Sequence, residues 1–156
     1  MGLRTALGLR GKKQSTNASE PKFGVLTFGY ENFWTFKNYL QERGTYDINL
    51  GDNAQSIAVR QLLRELHIRE DQIMSVNRDT LASYSGPPCS LIMNAVFFQH
   101  SFPLPPQVRP IFIGFHANAT VIKNNLALFK LYEPIGCRDS ATTRLLRSHG
   151  VKAFTT

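Results

Sequence analysis

Cysteine is scarce: Cys89 and Cys137 are the only two in 156 residues. Two thiols far apart in the chain suggest neither the disulfide framework of a small secreted scaffold nor a metal knuckle. His67, His100 and His149 have no partners at metal-ligand spacing either, so no metal is expected. Each cysteine begins or ends an apolar, strand-like run, where a free thiol is ordinarily buried, and the expected compartment is reducing and cytoplasmic. Long apolar runs are missing too. None approaches the roughly 20 residues of a membrane-spanning helix, and no membrane span is expected. Three phosphate and nucleophile signatures are absent: the Gly-rich dinucleotide fingerprint, the Lys-bearing phosphate loop and the nucleophile elbow.

Acidic residues are in short supply, 11 against 18 Lys and Arg, for a formal charge of +7. Of that, +3 falls within residues 1–20, from Arg4, Arg10, Lys12 and Lys13 against Glu20. The remaining +4 is dispersed, a poor footprint for a nucleic acid but compatible with a small anion or a nucleotide-sugar. A hydrophobic content of 42% with 19% charged residues describes a globular chain, and 156 residues suffice for one domain with a full core. Residues 1–22 read as a flexible basic leader and 23–156 as the domain.

Apolar runs and turn residues set the order of elements. Phe23 to Phe28 reads as a strand ending at Gly29. The aromatic stretch from Tyr30 to Asp47 fits a short helix through Phe33, Phe36 and Leu40, closed by Gly44. Its rings would either stack on a sugar or base or pack the segment onto a sheet. The strongest helical pattern follows, with Ala54, Ile57, Ala58, Leu62, Leu63 and Leu66 as its inward stripe and Asp52 or Asn53 as cap. Strands are expected at Gln72–Asn77, Cys89–Asn94 and Pro110–His116, with a Pro-rich loop over 101–110 and a helix over Asn124–Tyr132. Ile135 to Cys137 reads as a strand, then a helix capped by Asp139 or Ser140 with Ala141, Leu145 and Leu146 inward and Gly150 as its stop, then a strand from Val151. Continuous apolar strands alternating with helices predict an α/β domain with a mainly parallel sheet.

Several strands release a polar side chain at the carboxyl end: Asn94, His116, and Arg138 with Asp139, while Gly51-Asp52-Asn53 opens a helix. Parallel strands bring those ends to one edge, where open α/β sheets bind ligands. Arg138, at a helix N-terminus, suits a carboxylate or phosphate; an Arg138–Asp139 ion pair capping the helix is the alternative. His116 is suited to proton transfer near neutral pH, or to a structural hydrogen bond.

Taken in order, Asn49-Leu50-Gly51-Asp52-Asn53-Ala54-Gln55, Leu91-Ile92-Met93-Asn94, Pro110-Ile111-Phe112-Ile113-Gly114-Phe115-His116 and Glu133-Pro134-Ile135-Gly136-Cys137-Arg138-Asp139 resemble the polysaccharide pyruvyl transferase family from Phe23 to Thr156. The resemblance implies a Rossmann-like three-layer domain, the N-terminal half of a GT-B-type transferase with two facing domains. It implies transfer of the pyruvyl group of phosphoenolpyruvate onto two hydroxyls of one sugar, giving a cyclic ketal and phosphate without a cofactor. On that footing Arg138 faces phosphoenolpyruvate, Asp139 lies beside it, and His116, Asp52, Asn53 and Asn94 are placed for the saccharide acceptor or for proton transfer. Members of the family continue into a second domain, so this chain alone is expected to be poorly active unless a further polypeptide or a homo-oligomer completes the cleft. A non-catalytic carbohydrate or nucleotide-sugar binding module, or an inactive fragment, is the alternative.

Overall fold

Val25 and Leu26, adjacent on the first strand, belong to two separate apolar cores, as a strand buried on both faces requires. The computed structural model of the protein describes residues 22–29, 41–45 and 49–156. All but the last residue of the expected leader lies outside the described residues, as does most of the aromatic segment from Tyr30 to Asp47, of which residues 41–43 are helical and run into Gly44.

The elements in chain order are β1 (Lys22–Thr27), α1 (Leu50–Glu65), β2 (Ile73–Asn77), β3 (Cys89–Ile92), β4 (Val96–Phe97), β5 (Val108–Ile111), β6 (His116–Ala117), α2 (Ala119–Asn124), α3 (Leu126–Leu131), β7 (Ile135–Cys137), α4 (Ser140–Ser148) and β8 (Ala153–Thr155). The main sheet runs β2-β1-β3-β5, and every pairing in it is parallel. The pairs β4-β6 and β7-β8 are parallel as well. Backbone bonds stitch these pieces together: Met93 N–H donates to Ile111 O, Gly136 N–H to Phe112 O, Phe115 N–H to Gly136 O and His116 N–H to Ala95 O. The protein is therefore α/β with a mainly parallel sheet. Because β1 lies between β2 and β3, the chain leaves it in opposite directions, which makes a topological switch point at the carboxyl ends of β1 and β3.

One face of the sheet packs Val25, Ile73 and Ile92 against Val59 and Leu63 of α1. The other carries Leu26, Val76 and Leu91 in a larger core that includes Val121, Phe129 and Leu146 from the later helices. At its centre Phe115 is fully buried, with its ring centroid 5.5 Å from Phe97, 5.1 Å from Phe112 and 5.2 Å from Phe129. Such ring contacts add to the area the rings bury.

Several expectations are corrected. The inward stripe of α1 is wrong except for Leu63. Asp52, Val59 and Leu63 are buried, whereas Ala54, Ile57, Ala58, Leu62 and Leu66 are exposed. Polar anchors set the helix rotation: Ser56 Oγ donates to Leu26 O at 2.6 Å, and Asp52 pairs with Arg78. The cap is Asn49, which accepts from Gly51 N–H, and not Asp52 or Asn53. The strand expected over Pro110–His116 is two, β5 and β6, because the chain kinks between them at Gly114 (φ 70°), a left-handed conformation that suits only glycine well. β5 reaches back to Val108 into the expected loop. It tolerates Pro110 because Gln107 O and Ile111 O face β3, so the missing N–H falls on the other side. The helix expected over Asn124–Tyr132 is present as α3, and a second short helix that was not expected, α2, precedes it, parted from it at Asn125 (φ −124°, ψ 22°). In α4, Thr142 and Thr143 are buried in place of Ala141. Gly150 (φ 73°) does follow α4 as its stop. Among the described residues, no helix is long and apolar enough to cross a membrane.

The motif around β7 has a structural logic of its own. Glu133 accepts from Lys152 N–H at 2.8 Å and so pins the approach to β8. A Cβ on Gly136 would lie 2.9 Å from Phe112 O and 3.0 Å from Thr156 Cγ2, with the Phe154 ring at 3.1 Å. The nearest atom is a backbone carbonyl that accepts the Gly136 N–H, so it cannot withdraw without breaking the sheet. Gly136→Ala should therefore destabilise the domain by about 1–3 kcal/mol, the usual cost of overpacking. Urea melts test this; an unchanged midpoint would mean that β7 shifts at no cost.

Candidate functional site

His116 opens β6, and its partners come from α4. Asp139 caps that helix by accepting from Thr142 N–H through Oδ1 at 2.8 Å. Its other oxygen, Oδ2, accepts from Thr142 Oγ1 at 2.8 Å and lies 2.7 Å from His116 Nδ1. Thr142 Oγ1 is itself 3.0 Å from Nδ1. Two acceptors facing one ring nitrogen assign the proton to Nδ1, which in the neutral ring leaves the Nε2 lone pair for other work. The His116 and Asp139 side chains are 39% and 35% exposed, so the pair sits at the surface of the cleft rather than in the core.

Partial burial pushes the Asp139 carboxyl up, but the Thr142 N–H, the His116 ring and the Thr142 hydroxyl outweigh it and hold the carboxyl down at about 2. An unfolded aspartate titrates near 3.9. A depressed folded value means stability that is present in full above the unfolded pKa and lost as pH falls through about 4 towards about 2. Thermal melts of the wild type and Asp139→Asn should differ at about pH 5 and converge near pH 2. A constant difference across that range would show that the carboxylate charge is not what the folded state uses.

Arg138, next to the cap, behaves differently from its neighbour. Its N–H donates to Phe115 O at 2.9 Å, which fixes the backbone, while the side chain is exposed. Among the described residues the guanidinium has no hydrogen-bond or ion-pair partner, so the alternative of an Arg138–Asp139 capping pair does not hold; Asp139 caps alone. Arg138 lies on the wall of two clefts. One, of about 400 Å³, is shared with Val96, His116 and Asp139. The other, also about 400 Å³, is largely apolar and includes Leu62, Ile92, Asn94, Ile113 and Gly114.

Of the residues expected at this edge, Arg138, Asp139 and His116 share one cleft, and Arg138 and Asn94 share the other. Asn94 Nδ2 donates to Gln55 O at 3.4 Å. Asp52 and Asn53 line neither. Asn53 is exposed on the first turn of α1, and Asp52 is buried 3.5 Å from Arg78 Nη1. Sequence reasoning missed Thr142 and Arg78. The spacing Asp139-x-x-Thr142 is the signal for the first, since a residue three beyond the cap faces back onto it. Arg78 is the most buried charged residue at the edge, 3% exposed, and only its place at a strand end announces it. No group of acidic, His and Cys side chains that could hold a metal occurs among the described residues.

No protein-family model matches the chain, and no curated protein or solved structure is detectably similar to it.

Proposed function

We propose that this domain binds phosphoenolpyruvate in the cleft between Arg138 and His116 and forms the donor-binding half of a polysaccharide pyruvyl transferase, a Rossmann-like domain of the GT-B kind. The observation that carries the reading is an exposed guanidinium, unpaired among the described residues, on the same wall as a histidine whose Nδ1 is fixed by a carboxylate. Phosphoenolpyruvate carries a phosphate and a carboxylate, and a guanidinium fork matches either one with two parallel N–H donors. The depressed Asp139 carboxylate is already saturated by Thr142 and His116, which limits its repulsion of an anionic ligand.

In the proposed reaction a proton is added to the methylene carbon of phosphoenolpyruvate and makes C2 electrophilic. One sugar hydroxyl attacks C2, phosphate leaves, and a second hydroxyl of the same sugar closes the ketal. Two hydroxyl protons are released; one ends on the new methyl group and the other on phosphate. His116 Nε2 is the group placed to carry a proton between hydroxyl and donor, and Asp139 steadies the imidazolium formed on the way. Asn94 and Asn53 remain candidate acceptor contacts, whereas Asp52 is committed to Arg78.

Incubation with phosphoenolpyruvate and a galactose- or glucose-bearing acceptor, following phosphate, tests the reading. Binding with acceptor-dependent phosphate release is the expected result. Binding without release would favour a non-catalytic module, and the absence of any phosphoenolpyruvate binding would overturn the assignment.

A further inference from the structure

Arg78 follows β2 directly, and its side chain crosses the carboxyl edge of the sheet. Nε donates to Asp79 Oδ1 at 2.8 Å, and Nη1 lies 3.5 Å from Asp52 at the start of α1. The same Nη1 donates to Val96 O on β4 at 3.3 Å. The Phe28 ring beyond β1 and the Phe98 ring beyond β4 cover the guanidinium, with centroids at 4.7 and 5.4 Å. One side chain thus ties the ends of β1, β2 and β4 to the first turn of α1, across the switch point between β1 and β3. Such a group has no freedom to meet a ligand, since both carboxylates and both rings are already spent on it.

Its far end is the part that reaches the site. Val96 pairs in register with His116, and His116 N–H donates to Ala95 O, so β4 is the strand on which the histidine's backbone is laid. Val96 also lines the cleft with His116, Arg138 and Asp139. Asp139 fixes the ring of His116 from α4, whereas β4 is held from below by Phe97, stacked on Phe115 in the core, and at its Val96 carbonyl by Arg78.

We infer that Arg78 is a positioning residue for His116: it holds the Val96 carbonyl, and through the β4-β6 ladder it sets where the imidazole meets the cleft. The inference rests on the proposed role of His116 in proton transfer, but its test does not need a ligand. Arg78→Lys keeps a positive charge beside Asp52 and Asp79 while losing the fork that reaches Val96 at the same time. The chain has four histidines, and their imidazole carbon-proton cross-peaks can be followed together. His100 stacks on Phe98 with centroids 5.7 Å apart and belongs to the same assembly, whereas His67 and His149 follow the far ends of α1 and α4.

In Arg78→Lys the peaks of His116 and His100 should move by more than their linewidths, and those of His67 and His149 should stay. Should the lysine variant not fold, Phe98→Leu removes part of the cover without stranding a buried charge, and His116 should then shift by a smaller amount. An unmoved His116 peak in the folded variant overturns the inference, and so does an equal shift of all four histidines, which would mean general loosening. Loss of the proposed function would instead appear as wild-type protein that fails to bind phosphoenolpyruvate while the His116 shift persists.

Discussion

Arg138→Ala should weaken phosphoenolpyruvate binding by about 10- to 150-fold, the equivalent of losing charge-assisted hydrogen bonds worth about 1.5–3 kcal/mol. Its melting temperature should stay at the wild-type value. The two halves of the expectation come from one fact: the guanidinium is exposed, and among the described residues it has no partner to lose. What the fold needs from this position is the backbone, where Arg138 N–H meets Phe115 O, and alanine supplies that equally. Arg138→Lys separates charge from geometry. A lysine keeps the point charge but not the planar fork, so it should recover part of the affinity and not all of it. Calorimetric titration beside a thermal melt measures both quantities. Unchanged affinity in the folded alanine variant would remove Arg138 from the donor site.

The legible parts of the sequence were those where one local rule decides the outcome. Ile135 to Cys137 is apolar throughout because β7 is buried on both faces, and Asp139, directly before a helical run, caps it. The parallel sheet was readable from strands without polar alternation. The rotation of α1 was not, because apolar periodicity assumes that polar residues face water. Here Asp52 and Ser56 face the sheet, drawn there by Arg78 and by the carbonyl of Leu26, so Ile57, Leu62 and Leu66 are turned outward. Both polar anchors depend on residues far away in sequence, and a local window does not see them. The break between β5 and β6 has a similar origin. The run from Pro110 to His116 reads as one strand, but after Ile111 the backbone turns to pair with Gly136 and later with Ala95, and that exchange of partners is a property of the sheet. At the site, Arg138, His116 and Asp139 share one cleft, as parallel strand ends at one edge imply. The carboxyl-edge rule did not supply Thr142, whose contribution depends on a side-chain contact, and Asp52, which it placed at the same edge, is buried against Arg78.

Asp139→Asn should lower phosphate release by about 10²–10⁴-fold wherever turnover is measured, the range expected when general acid-base catalysis is lost. It should cost the fold only about 1 kcal/mol, because asparagine caps a helix about as well as aspartate and what disappears is the interaction of a partly exposed charge with the helix end and with His116. The reason for so unequal a division lies in the two oxygens. Oδ1 serves the helix by accepting from Thr142 N–H, and an amide oxygen does that equally. Oδ2 serves the histidine, and an amide nitrogen in its place would present N–H to Nδ1, driving the proton to Nε2 and removing the lone pair the cleft needs. That tautomer change can be read in the chain alone from the two ring-nitrogen resonances of His116, with no substrate present. A variant that keeps the proton on Nδ1 would show that Thr142 Oγ1, at 3.0 Å, is sufficient to hold it. A variant that changes tautomer without loss of phosphate release would remove His116 from the proton path and leave Asp139 as a helix cap alone.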